Sequence, residues 1–225
     1  MATAANEEGP VGALVSGGLD SAVMLYELAR TRRQLFPIYV RCGLPWEDEE
    51  QRFLGRFIGQ LANSRIQPPQ VLDYPMQDVY RDAWYATGEG VPGYAEPDER
   101  WEIPGRNLIL LSKAGVWAAL HGVGSLALGI LASNPFSDAT PRFFTSLEAT
   151  LSAALGTCMT VLRPFADMHK SDVVRIGAAL PLELTLSCAR PIAGRHCGTC
   201  GKCRERIEAF EAAGVPDPTE YQAMG

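Results

Sequence analysis

The chain has 225 residues, more than one ordinary domain of roughly 150 and fewer than two, so one full domain with an appendage is expected. Its 47% hydrophobic and 20% charged residues offer enough apolar surface to offset chain entropy, which excludes an intrinsically disordered chain. Twenty Lys and Arg against 26 Asp and Glu leave a net charge of −6, which excludes a surface that is one continuous polyanion-binding field.

Met1 to Pro10 carries Glu7 and Glu8 and lacks a cationic start and an apolar core, so no signal peptide is read and a cytoplasmic protein is expected. Val11 to Val15 reads as a strand, Ser16-Gly17-Gly18 as a turn and Ala22 to Arg32 as a helix. Leu35 to Val40 is the next strand. Glu47 to Leu61 is a helix whose acidic start, Glu47-Asp48-Glu49-Glu50, suits the helix dipole. Val71 to Tyr74 is a third strand, and from Pro75 to Gly105 the pattern lapses into a long Pro- and Gly-rich loop, the usual form of a lid or binding insertion. Helices are then expected over Asn107 to His121, Phe143 to Leu155 and Lys170 to Leu180, with strands at Leu126 to Leu131 and Thr160 to Leu162. Arg204 to Ala213 reads as a closing helix. Ala114 to Ser133 has no formal charge, but Gly115, Gly122, Gly124, Gly129 and His121 make it a poor membrane span. The alternation predicts an α/β fold with a mainly parallel sheet and helices on both faces, its ligands beyond the carboxyl ends of the strands. Residues 1–181 would form this domain and residues 182–225 a Cys-rich segment with the closing helix.

Ser16-Gly17-Gly18-Leu19-Asp20-Ser21 stands at such a strand end, where glycines let backbone N–H groups approach a phosphate. Asp20 would repel phosphate unless a divalent cation lay between them. No Gly-Lys-Ser or Gly-Lys-Thr occurs, so ordinary P-loop chemistry is disfavoured, and the GxGxxG string at Gly88 to Gly93 follows no strand and is discarded. Cys188, Cys197, Cys200 and Cys203 could close a tetrahedral zinc shell. A ferredoxin-type cluster would want a further Cys where Ile207 stands, and His196 is a substitute ligand if Cys188 is out of reach. Cys42 and Cys158 are left over; Cys42 follows the second strand, and a nucleophilic role is weighed there against a free, unreactive thiol. His169 could touch phosphate, and His121 reads as a core or helix-end residue. Arg106, Arg142, Arg163 and Lys170 fall at element ends, which suits ligand contacts. From Cys188 to Arg206 five cations face the single anion Glu205, a balance suited to an acidic ligand or a subunit's acidic face.

The hexapeptide resembles the PP-loop signature of the N-type ATP pyrophosphatases, which cleave ATP between the α- and β-phosphates. Over residues 11 to 210 the chain resembles the 7-cyano-7-deazaguanine synthase (QueC/ExsB) family. Pro104-Gly105-Arg106-Asn107, Pro181-Leu182-Glu183-Leu184-Thr185 with Ser187-Cys188, and the run from His196 to Cys203 carry that likeness. The resemblance implies a Rossmann-like, adenine nucleotide alpha hydrolase-like fold, ATP as substrate with Mg²⁺, one Zn²⁺ per chain, and a homodimer with no membrane or nucleic-acid partner. It also implies adenylation of a deazapurine carboxylate, 7-carboxy-7-deazaguanine, which ammonia then converts to the nitrile with release of AMP and pyrophosphate. Residues 16 to 21 with Arg106 and Lys170 would hold ATP, Asp20 and Lys170 acting in catalysis, while Cys42, Asn107, Asp138 and Arg142 would face the acceptor.

Two segments depart from the family pattern: Arg41 to Glu47, where the synthases carry an Asp-Tyr-Gly-Gln-Arg-His-like stretch, and Asn134 to Phe143, where the family's Arg falls on Thr140 and its Glu on Arg142. Two other readings therefore stand beside the synthase. One is a paralogue that adenylates a different carboxylate or joins a deazapurine acid to another amine or macromolecule; the other is a non-catalytic, zinc-tailed regulatory or nucleic-acid-binding protein.

Overall fold

The computed structural model describes residues 9–32 and 34–222; the reading of the first ten residues as no signal peptide falls almost wholly outside them. Five short strands, β1 Val11–Leu14, β2 Leu35–Arg41, β3 Gln70–Asp73, β4 Ser125–Ala127 and β5 Thr160–Leu162, pair in parallel in the order β3-β2-β1-β4-β5. Side chains alternate across a strand. Val11, Ala13 and Val15 accordingly enter one apolar core, with α1 Leu19–Thr31, α7 Lys170–Ile176 and α8 Gly201–Ala213, while Leu14 enters the other. That second core is closed by α5 Arg106–Leu120 and α6 Pro141–Leu155, and α2 Glu47–Leu61 contributes Leu54 to the first core and Phe53 to the second. From β1 the chain runs to β2 on one side and later returns to β4 on the other, so the crevice for a ligand opens at the carboxyl ends of β1 and β4.

Several boundaries differ from the sequence expectation. α1 begins at Leu19, three residues early. α6 begins at Pro141, because Thr140 accepts a hydrogen bond from the Phe143 N–H at 3.2 Å and Pro141 suits a first helical position. β4 stops at Ala127: residues 128–131 leave the sheet toward the crevice, and Gly129 passes so near Asp20 that a Cβ there would lie 3.4 Å from its backbone. α7 ends at Ile176. The charge-free stretch 114–133 divides between α5, a turn and β4, and among the described residues no helix is long and apolar enough to cross a membrane.

The 75–105 segment is not the patternless loop expected. It holds two single-turn helices, α3 Gln77–Tyr80 and α4 Trp84–Thr87, and a 3-10 turn at Asp98–Trp101. Its aromatics pack on one another: Trp84 stacks on Trp46 at 5.7 Å and meets Trp101 edge-on at 5.0 Å. Arg204 ties it to α8, donating to the Tyr94 and Glu96 carbonyls and pairing with Asp98 at 2.6 Å.

Candidate active site

The glycine turn links the end of β1 to the start of α1. Ser16 N–H donates to Ser21 Oγ (3.2 Å), Ser21 Oγ donates to the Gly18 carbonyl (3.0 Å), and Gly18 N–H donates to Ser16 Oγ (3.3 Å). Gly17 has φ +72°, and a Cβ there would stand 2.4 Å from the Glu50 carbonyl oxygen, so both conformation and contact demand glycine. The Gly17 carbonyl accepts from Leu186 N–H at 2.8 Å, which joins the turn to the C-terminal segment.

This turn borders a cavity of about 380 Å³, into which Ser16, Gly18, Leu19, Asp20, Arg106 and Lys170 all face. Lys170 is 150 residues from Asp20 in sequence, yet its Nζ lies 3.1 Å from Asp20 Oδ2 and 2.8 Å from Glu205 Oε1. Burial opposes the lysine charge, but the two carboxylates overcome it and hold the ammonium well above its ordinary range. Burial likewise opposes the Glu205 charge, and Lys170 with Lys202 at 2.9 Å pull its carboxyl far below the usual range. Among the described residues, Asp20 Oδ1 is buried and has no hydrogen-bond partner. A buried carboxylate oxygen left open beside a phosphate-type turn has the chemistry of a divalent-cation ligand.

Across the cavity, Asp138 sits at the amino end of α5. Its Oδ2 accepts from Asn107 N–H at 2.8 Å, and the Asn107 side-chain amide donates to its carbonyl at 3.0 Å. Beside it the Arg106 N–H donates to the Ile103 carbonyl at 3.1 Å, while its guanidinium borders both cavities and makes no hydrogen bond or ion pair among the described residues. Trp46, Trp84, Trp101 and Phe136 form an aromatic wall on this side. A second cavity of about 200 Å³ shares Ser16, Asp20, Glu50 and Arg106 with the first and runs between the apolar ends of β1, β2 and β4.

Glu50 was not singled out by sequence, where it counted only as part of an acidic helix start. Its position three residues after Glu47, on one helix face just beyond a parallel strand, is the signal that could have found it. Its carboxylate accepts from Tyr39 Oη at 2.5 Å. Burial lifts this carboxyl to about 7 against the pull of Arg106. Glu47 faces away from the cavities and accepts from Cys42 N–H (2.7 Å) and Gly43 N–H (3.0 Å), which fixes the segment after β2.

Other expected residues lie elsewhere. Cys42 is buried and borders neither cavity, and burial pushes its thiol up to about 11. Arg142 is exposed and also borders neither. Arg163 lies over the Phe144 ring at 4.7 Å, His121 is exposed at the end of α5 stacked on Trp117, and His169 is exposed at the start of α7. The expected basic surface of the C-terminal segment is largely used inside the protein. Arg204 and Lys202 are ion-paired as above, and Arg206 is 0% exposed, donating to Thr185, Ser187, Thr219 and the Leu182 carbonyl.

Cys188, Cys197, Cys200 and Cys203 are buried with their sulfurs all within 4.8 Å of one another, so the cluster could hold a metal ion. Sulfur separations of 3.5 Å for Cys200–Cys203 and 3.9 Å for Cys197–Cys203 bracket the roughly 3.8 Å edge of a tetrahedron with 2.3 Å metal–sulfur bonds. N–H groups of Arg190, Cys197 and Thr199 point at these sulfurs, as thiolate ligands require. His196 is not a substitute ligand: its Nε2 accepts from Ser187 N–H at 3.0 Å, and burial together with Arg206 lowers it to about 3, keeping it neutral.

The family model described as Queuosine biosynthesis protein QueC matches residues 11–214. Curated 7-cyano-7-deazaguanine synthases from Methanothrix thermoacetophila and Cupriavidus necator are 34% and 35% identical over 93% of this chain, covering 97% and 96% of their own lengths. Among solved structures, the U34-tRNA thiolase NcsA from Methanococcus maripaludis, determined with its 4Fe-4S cluster, aligns over 92% of this chain and 68% of its own. The TM-score is 0.52 at 14% identity, a likeness of fold.

Proposed function

The chain belongs to the QueC family of queuosine biosynthesis proteins, and on that footing we propose that it is an ATP-dependent ligase that turns the carboxylate of 7-carboxy-7-deazaguanine into a nitrile. The observation that carries this reading is the meeting of the glycine turn, the open Asp20 oxygen, Lys170 and the unpaired Arg106 in one cavity beside an aromatic wall. Adenine suits the smaller cavity between the strand ends, the phosphates the turn, and a flat deazapurine the slot beside Trp46, Trp84 and Trp101.

A carboxylate is a poor electrophile. Attack of its oxygen on the α-phosphorus gives an acyl adenylate and pyrophosphate; ammonia then displaces AMP to give the amide. A second adenylation, on the amide oxygen, permits loss of AMP and a proton to give the nitrile. The protein's part is positioning and charge neutralisation. The backbone of residues 16 to 21 and Lys170 would bind the departing pyrophosphate, and Arg106 the α-phosphate. Asp20 would hold Mg²⁺ through its open oxygen; the cation, when bound, neutralises phosphate charge. The four cysteines would hold one Zn²⁺, which braces the segment around Leu186 that buttresses the turn. Their close approach favours a single ion over an iron–sulfur cubane, whose bulk would keep the sulfurs well apart.

The second reading, adenylation of another carboxylate, is favoured by one observation: Trp46 and Asn134 to Phe136, from the two segments that depart from the family pattern, line the acceptor side. The non-catalytic, nucleic-acid-binding reading loses three of its five clustered cations to internal contacts. Incubation with ATP, ammonia and 7-carboxy-7-deazaguanine, followed by mass spectrometry, separates them. Nitrile with AMP and pyrophosphate is expected; adenylation only of some other acid supports the paralogue, and release of ADP and orthophosphate overturns both ligase readings.

A further inference from the structure

Four of the five cavity carboxylates are engaged: Asp20 and Glu205 hold Lys170, Asp98 pairs with Arg204, and Asp138 binds the amino end of α5. Glu50 is different. Among the described residues it has no ion-pair partner within salt-bridge distance, and it stands in the wall common to both cavities, held by Tyr39 from β2. If adenine fills the smaller cavity and the deazapurine acid the larger, the acyl carbon and the α-phosphorus meet at this shared wall.

Resting on the ligase reading above, we propose that Glu50 is the proton acceptor of the amide-forming step. As the ammonia nitrogen bonds to the acyl carbon, the C–O bond to AMP breaks and AMP leaves with its electron pair. One N–H proton passes to the Glu50 carboxylate, which later releases it to water. Burial suits the group to this: a carboxyl held near 7 is both ionised often enough to accept and basic enough to take the proton. The charges that set it are Arg106 from α5, which favours the ionised form, and Glu47 on its own helix, which opposes it. Asp20, Lys170 and Glu205 border the larger cavity from α1, α7 and α8. Tyr39 is a positioning residue, since it fixes the carboxylate by donating to it.

Glu50→Gln keeps volume and polarity but cannot accept a proton. Carboxylate-dependent ATP–pyrophosphate exchange, which moves no proton, is expected to stay within about 3-fold of the parent, while amide and nitrile formation fall roughly 100-fold and lose their rise with pH through about 7. Unchanged product formation, or a change confined to the KM of the deazapurine acid, overturns the proposal; the latter would make Glu50 a base-recognition group. Tyr39→Phe provides a second measurement should the first variant fail to fold. Removal of a donor to the carboxylate should move the pH limb upward, and an unmoved limb overturns the proposal. Absence of carboxylate-dependent exchange in the parent protein would instead overturn the ligase reading itself.

Discussion

Gly17→Ala tests the geometry on which the phosphate site depends. At φ +72° an alanine is strained by about 1–2 kcal/mol. Its Cβ would also lie 2.4 Å from the Glu50 carbonyl oxygen, an atom of the α2 backbone that no rotamer change can move aside. Relief requires the turn and the start of α2 to separate by roughly an ångström, an overpacking strain of about 1–3 kcal/mol. The sum, roughly 2–5 kcal/mol, is survivable for a protein of ordinary stability and should lower Tm by roughly 4–20 °C at this chain length. Gly90→Ala is the control: its φ is +69° but a new Cβ meets nothing within 4 Å, so it carries the conformational strain alone. Thermal melts of both variants isolate the contact. Because the displaced elements carry the phosphate turn and Glu50, turnover of Gly17→Ala should fall roughly 100-fold, whereas Gly90→Ala should keep its activity. Equal melting temperatures for the two variants would refute the reasoning.

Lys170→Met removes the cation shared by Asp20 and Glu205; kcat should fall roughly 100- to 1000-fold, and steady-state kinetics with a parent-like rate would remove Lys170 from the phosphate site. Cys200→Ser opens the four-sulfur cluster; metal analysis should show about one zinc per chain in the parent and little in the variant, with a lower Tm, because structural zinc contributes roughly 10–16 kcal/mol of apparent binding energy. Metal-free parent protein with an unaltered melt would contradict this. Glu50 also links stability to pH: its carboxyl rises from 4.5 to about 7 on folding, so between those values the folded chain keeps a proton that the unfolded chain has lost. Stability should therefore fall by roughly 3 kcal/mol as pH rises through that window, and denaturant titrations of Glu50→Gln should show this loss abolished.

The order of strands and helices along the chain, the glycine turn and the spacing of the four cysteines were all legible in the sequence, because each is a local pattern: a periodicity, a glycine pair at a strand end, a ligand interval. The partners of those residues were not legible. Lys170 meets Asp20 across 150 residues, Trp84 meets both Trp46 and Trp101 only through the packing of the 75–105 segment, and Arg206, counted as surface charge, is buried with its donors satisfied. Glu50 and Glu47 share one acidic run and one face of α2, yet Glu50 borders the cavities while Glu47, a turn nearer β2, holds the backbone at Cys42 and Gly43. Local sequence determines which element a residue joins. Burial, charge pairing and a shifted pKa depend on what other elements bring near it, and for this protein the packing of α2, α5, α7 and the C-terminal segment around β1 and β4 decided them.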